Sequence, residues 1–300
     1  MKKNAYFFRD GRTAFFWGIK SLGLNRQNKI LLPAYVGISD KEGSGVFDPI
    51  KRLKIGYKFY VLNKNFSINK KDFLKKIRQK NIKAVLVIHY FGFCRPDFDF
   101  IIKNCEKYGK YLIEDCAHAF NSYWKEKKLG AYGDISFYSI HKFLPVRSGG
   151  VLLVNNPDIK ISEKIKENIP ASAKKAFKRA DLAKISKKRV NNYIYILNLA
   201  NKIKGARPLY RSLPDGITPL NFPVIIKKDN RDKIYFYLRR RGVRAVSLYY
   251  KLIPQISRKK YPVSHYLSRH ILNLPVHKAA NKKENEHIIK TLAGALAKNK

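Results

Sequence analysis

The sequence predicts a wound α/β fold, with a large, mostly parallel sheet followed by a small C-terminal α+β unit. Three observations predict it. Short apolar runs such as Ala84-Val85-Leu86-Val87-Ile88 alternate with helical spacing through the first half, as buried parallel strands and their crossover helices do. Carboxylates and other polar residues follow directly on the ends of such runs, where wound sheets place their chemistry. Gly205 and Pro208 then break the pattern, and strand and helix signals of a different order follow.

Taken in order, Lys29-Ile30-Leu31-Leu32-Pro33 reads as a strand ended by proline. Lys71 to Lys80 has helical spacing, with Phe73, Leu74 and Ile77 on one face. Ala84 to His89 is a buried strand. Phe98 to Tyr108 is a helix stopped by Gly109, and Tyr111-Leu112-Ile113 is the next strand. Ile135 to Ser139 and Gly150 to Val154 are two more. Ile161 to Arg189 is Lys-rich and broken by Pro170, so it reads as exposed helix and loop. A helix is expected from about Val190 to Lys202. These expectations give a large domain over 1–205 and a small one over 206–300. In the second, Phe222 to Ile226 is a strand, and Asp232 to Arg241 is a helix closed by Gly242. Ile271 to Val276 is a strand interrupted at Pro275, and Asn281 caps a final helix carrying Ile288, Ile289, Leu292 and Leu296.

Composition narrows the class. The chain has 300 residues, 45% of them hydrophobic, enough for a packed core. The basic opening Met1-Lys2-Lys3 leads into an apolar stretch cut short by Arg9 and Asp10, so no secretory signal is expected. The apolar runs are too short to span a bilayer, and a cytoplasmic location is expected. Cys94, Cys105 and Cys116 are odd in number and none are paired at two-residue spacing. Neither a disulfide framework nor a metal site is expected. Lys and Arg number 63 against 21 Asp and Glu, a net of +42. So basic a chain attracts polyanions. Its richness in Lys, Ile and Asn is also what a biased genome produces, and both readings stay open.

The chemistry is concentrated in two segments. Ile113-Glu114-Asp115-Cys116-Ala117-His118 sets a carboxylate at a strand end. Ser139-Ile140-His141-Lys142 sets an amine at another, and Gly149-Gly150 opens the strand after it. Pyridoxal 5'-phosphate needs a lysine amine for a Schiff base, a carboxylate beside its ring nitrogen, donors for its phosphate and a flat contact for its ring. Lys142 is the candidate amine, and Asp115 the candidate carboxylate. Ala117 is small enough to lie under the ring, and His118 is placed to bond the ring oxygen. Ser139 offers a hydroxyl to the phosphate. Gly11, Arg12 and Thr13, opening an apolar helix, offer backbone N–H groups at a helix N-terminus. Each residue taken singly has an ordinary structural reading, and the case rests on their joint order and spacing.

With these residues in view, the chain resembles the DegT/DnrJ/StrS sugar aminotransferases, pyridoxal-phosphate enzymes of fold-type I. The matching pieces begin with Asp10-Gly11-Arg12-Thr13-Ala14, Leu32-Pro33-Ala34-Tyr35 and His89-Tyr90-Phe91-Gly92. They continue with Glu114 to His118, Gly130 with Gly133-Asp134, Ser139 to Lys142 with Gly149-Gly150, and Leu272 to His277. The resemblance implies a Schiff base on Lys142, Asp115 on the pyridine nitrogen, His118 beside the cofactor and Ser139 on the phosphate. Tyr35 and His89 become candidate substrate contacts. It further implies a homodimer, an amino donor such as glutamate, and a keto-sugar linked to a nucleotide diphosphate as acceptor, in polysaccharide biosynthesis. Two alternatives are another pyridoxal-phosphate reaction on a sugar and a non-catalytic basic regulatory or binding protein on the same scaffold. Related dehydratases replace the lysine with His, and this chain keeps Lys142.

Two departures stand out. Relatives carry, after the point matching Asn156, an Asn-bearing loop that reaches the partner's cofactor. Here the segment is short, and Asn191 and Asn192 fall at the start of the expected helix. Asp40 to Gly45 is an insertion that would reshape the pocket mouth. The basic clusters at Ala173 to Arg189, Arg239-Arg240-Arg241 with Arg244, and Arg258-Lys259-Lys260 suggest weak association with an anionic membrane surface. No recognition motif accompanies them, so no specific nucleic acid is expected.

Overall fold

A computed structural model describes residues 4–161, 165, 168–228, 230–277 and 281–298. The opening Met1-Lys2-Lys3 and part of the Lys-rich stretch after Ile161 lie outside these. The first half contains β1 (Ala5–Phe8), α1 (Gly11–Ser21), β2 (Lys29–Pro33), α2 (Phe47–Arg52), β3 (Gly56–Tyr60), α3 (Lys70–Ile77) and β4 (Ile82–Ile88). It continues with α4 (Phe98–Lys107), β5 (Tyr111–Asp115), the short β6 (Tyr123–Trp124) and β7 (Lys127–Lys128), β8 (Ile135–Ser139) and β9 (Gly150–Val154). Seven of these strands form one sheet in the order β1-β9-β8-β5-β4-β2-β3. β9 runs antiparallel to both its neighbours and the remaining pairings are parallel. The sheet is thus mostly parallel, as expected, and its crossovers bring the C-terminal ends of β2, β4, β5 and β8 to one edge.

The strands expected at 29–33, 135–139 and 150–154 occur at those bounds. The strand expected at 111–113 runs on to Asp115, so the two carboxylates belong to the strand itself. Helix α3 stops at Ile77, three residues short of the expected Lys80. α4 ends at Lys107 before Gly109, whose φ is 56°. Strands β1 and β3 and helix α2 carried no clear periodicity. β3, with Gly56 and Lys58, is an edge strand and needs only one apolar flank.

The clearest correction falls on the Lys-rich region. It holds α5 (Ala171–Arg179) and α6 (Leu182–Ala200), so the expected helix from Val190 begins eight residues earlier. Asp181 caps it by accepting from the Lys184 N–H at 2.9 Å. The lysines keep their charges outward, but Ile185, Arg189, Asn192 and Tyr193 form a buried stripe. Asn191 and Asn192 are therefore in mid-helix. Asn192 is buried, donating to the carbonyls of Val276 at 3.4 Å and His277 at 3.2 Å. Arg189, grouped with the surface charges from sequence, is also buried.

The last hundred residues contain β10 (Ala206–Pro208), β11 (Asn221–Ile226), α7 (Arg231–Arg240), α8 (Pro262–His270), β12 (Ile271–Pro275) and α9 (Lys282–Lys298). The strands form an antiparallel sheet in the order β10-β11-β12, with α7 against β12 and α9 against α6 and α7. Asn281 caps α9 by accepting from the Glu284 N–H at 2.9 Å.

Candidate active site

The site gathers at the C-terminal ends of β5 and β8. Neighbouring residues on a strand point to opposite faces, and this separates Glu114 from Asp115. Glu114 is fully buried and saturated. It accepts from the N–H groups of Gly130 at 2.8 Å, Tyr132 at 2.8 Å and Gly133 at 2.6 Å, and meets His89 Nε2 at 3.0 Å. Asp115 is almost as buried but, among the described residues, accepts from the Ala117 N–H alone, at 2.9 Å. Burial pushes its carboxyl up to about 6, against the lowering effects of that bond, Lys142 and His89.

Lys142 ends a single 3-10 turn, Ile140–Lys142, that follows β8. Burial lowers its ammonium below the usual lysine range, while the Asp115 and Glu42 carboxylates act in the other direction. Asp115 and His118 are thus each close enough to Lys142 to sense its charge. His118 is buried and its pKa is pushed well down, by burial first and Lys142 second. Its Nδ1 accepts from the Phe91 N–H at 3.3 Å, which leaves the proton of the neutral ring on Nε2. Ala117 is half-buried between fully buried neighbours, so it is the residue of this segment that faces open space.

Helix α1 reaches the same edge. Gly150 has no side chain, and a Cβ there would lie 2.1 Å from the Asp10 carbonyl oxygen, so only glycine lets β9 pass so close to the start of the helix. A Cβ on Gly11 would come within 3.5 Å of Ser139 Cβ, which sets the first turn of α1 beside Ser139. The N–H groups of Gly11 and Arg12 have no carbonyl four residues back within the helix. Thr13 is committed elsewhere: its N–H and hydroxyl donate to Asp10 Oδ1 at 2.7 and 2.8 Å. The Arg12 guanidinium turns away to the Glu42 carbonyl and lies 3.7 Å from Asp48. The Asp40–Gly45 insertion therefore folds back over the start of α1. Ser139 Oγ lies 3.1 Å from His141 Nδ1.

Tyr35 and His89 sit deeper than the residues around Lys142. Tyr35 is fully buried in an aromatic cluster with Phe66, Tyr90 and Tyr249, at ring separations of 5.3, 5.5 and 4.9 Å. His89 packs edge-on against Phe98 and faces Glu114, which gives it a structural partner behind the site. His89, Glu114 and Cys116 bring ligand atoms within 4.8 Å of one another, but the backbone donors already fill both Glu114 oxygens.

Two residues of the site had no signal in the sequence. Arg189 donates to the carbonyls of Lys142 at 3.1 Å, Pro219 at 3.2 Å and Leu220 at 2.8 Å, with its guanidinium 4.6 Å from the Phe143 ring centroid. It ties the turn bearing Lys142 to the loop before β11. Tyr249, from the last third, meets His118 at a ring separation of 6.0 Å. Arg189 looked like one more surface charge, and Tyr249 like one of 19 tyrosines.

The donor set suits pyridoxal 5'-phosphate. A buried carboxylate with a single hydrogen bond calls for a cationic partner, such as a protonated ring nitrogen. Ser139 and the first turn of α1 form one anion-accepting edge, and the half-buried Lys142 lies near the carboxylate.

Residues 59–192 match the profile of the DegT/DnrJ/EryC1/StrS aminotransferase family. Members of that family are pyridoxal-phosphate-dependent. The chain is 26% identical to a GDP-perosamine synthase of Vibrio cholerae over 162 residues, 54% of this chain and 42% of that protein. It thus spans less than half the length of this curated relative. Its fold matches that of the aminotransferase TlmJ of Streptoalloteichus hindustanus, with a TM-score of 0.80 and 19% identity over 99% of this chain and 87% of that one. NtdA of Bacillus subtilis, solved with bound cofactor PMP, matches with a TM-score of 0.78 and 16% identity over 98% of this chain and 73% of that one. The fold of this chain is the one these two structures share.

Proposed function

We propose that the protein is a pyridoxal-phosphate-dependent aminotransferase that moves an amino group, from a donor such as glutamate, to a nucleotide-linked keto-sugar. The observation that carries this reading is the buried, under-bonded Asp115 in electrostatic reach of the half-buried Lys142, beside the Ser139 and α1 edge. The family match supports the class of reaction, and the likeness to GDP-perosamine synthase supports a nucleotide sugar as acceptor. When bound, the cofactor supplies an electron sink and carries the amino group between the two substrates.

The chain's residues divide the remaining work. Lys142 is the amine that holds the cofactor. Its lowered pKa raises the fraction of neutral amine, which suits a base that takes up and returns a proton at the amino-bearing carbon. Asp115 holds a proton on the ring nitrogen. His118 can only donate through Nε2, and so favours an oxygen acceptor on the ring. Ser139 and the N–H groups of Gly11 and Arg12 receive the phosphate. Arg189 fixes the backbone of the lysine turn.

Borohydride reduction of the loaded protein followed by peptide mapping tests the core of this reading. The label is expected on Lys142, and a label on another lysine overturns the assignment. Absorbance changes with a panel of amino acids and nucleotide sugars identify donor and acceptor. Homodimerisation is part of the proposal and is read by sedimentation.

Among the described residues no helix is long and apolar enough to cross a membrane. A cytoplasmic enzyme that adsorbs weakly to anionic surfaces is consistent with the exposed Lys175, Lys178, Arg179, Lys184 and Lys187 of α5 and α6. Co-sedimentation with anionic but not neutral vesicles, lost at moderate salt, is the expected result. Equal recovery with both removes this part.

A further inference from the structure

We infer that Tyr249 supplies an aromatic face of the cofactor-ring pocket bounded by Asp115, Ala117 and His118. The inference rests on the cofactor reading above.

The segment around Tyr249 is fastened to the site edge of the large sheet. Ile38 N–H donates to the Lys251 carbonyl at 3.0 Å and Ile253 N–H to the Val36 carbonyl at 3.0 Å, bracketing a bridge between Gly37 and Leu252. From the other side, the Ser268 hydroxyl donates to the carbonyls of Tyr249 at 2.7 Å and Tyr250 at 3.0 Å. These bonds hold Tyr249 at φ 58°, a left-handed conformation that costs energy for a residue with a large side chain. Backbone strain of this kind persists where the surroundings impose it, and it clusters at functional sites.

The conformation aims the ring at the candidate site. Its centroid lies 6.0 Å from His118, 4.9 Å from Tyr35 and 5.4 Å from Tyr90. Burial raises the phenol's pKa, and the Asp115 charge raises it further, which places the hydroxyl within reach of the carboxylate field. Room for the ring is made at Gly37, where a Cβ would lie 2.8 Å from Tyr249 Cδ1. The position facing the ring is thus the one residue type that lets it approach. Tyr249 is only half-buried, unlike Tyr35 and Tyr90, so part of it is free to meet a ligand. A flat pyridine ring needs broad contact, and an aromatic side chain that loses little freedom on binding provides it.

The test measures cofactor affinity by equilibrium dialysis of pyridoxal 5'-phosphate, with the visible circular dichroism of the bound cofactor as second readout. Tyr249→Phe keeps the ring and is expected to bind within about twofold of wild type. Tyr249→Leu removes the ring and is expected to weaken binding about tenfold and to diminish the dichroic band. Gly37→Ala leaves Tyr249 in place but displaces its ring, with a loss of several-fold expected; it decides the matter if Tyr249→Leu does not fold. Wild-type affinity in folded Tyr249→Leu or Gly37→Ala overturns the inference and leaves the cofactor reading standing. Absence of cofactor binding by the wild type overturns both.

Discussion

The two faces of strand β5 at its C-terminal end carry adjacent carboxylates with opposite fates. On one face Glu114 is enclosed by three backbone donors and His89, and no acceptor capacity is left for a ligand. On the other, Asp115 is buried with one backbone bond, and its carboxyl sits near 6. Burial alone does not mark a functional acid. What separates the two is satisfaction: a saturated carboxylate holds structure together, and an unsaturated one is held ready for a cation.

Three substitutions sharpen or break this contrast. Lys142→Ala removes the amine facing Asp115 and is expected to abolish transfer, with the thermal midpoint little changed because no packed apolar group is lost. Residual transfer above background breaks the assignment. Glu114→Ala leaves three backbone donors and His89 unmatched and is expected to cost about 3–5 kcal/mol of stability in denaturant unfolding. A near-neutral result would mean that water replaces the carboxylate and the saturated face is not structural.

Asp115→Asn is expected to do the reverse. Turnover falls by about 1.5–3 kcal/mol in the barrier, ten- to hundredfold or more, with the cofactor still attached. Stability of the ligand-free protein should not fall. The sign follows from the raised carboxyl: its contribution is full below the unfolded value of about 4 and is lost as pH rises through about 6. Over that window the wild type should lose up to about 3 kcal/mol from this group relative to Asp115→Asn, as read by unfolding at a series of pH values. Parallel pH profiles for the two proteins would remove the basis for calling Asp115 unsatisfied.

The same contrast explains what the sequence revealed. The candidates Asp115 and Ser139 close their strands and Ala117, His118 and Lys142 follow within three residues, so local chain direction sets all five at one edge. His89 also follows a strand end, but its side chain turns to Glu114 behind the site. Thr13 opens the helix as expected, yet its N–H and hydroxyl serve the Asp10 cap.

By itself, then, the sequence determined the wound sheet, the bounds of three of its seven strands and the order of the amine and carboxylate segments, because apolar periodicity and strand-end residues are local properties of the chain. Only the tertiary structure decided that Glu114 is saturated by backbone donors, that Arg189 is a buried tie on the lysine turn, and that Tyr249 lies against His118 from about 130 residues downstream of Asp115. These depend on partners distant in the chain. Lysine-rich and aromatic-rich segments look alike until packing settles which side chains lose water and which donors remain to satisfy them.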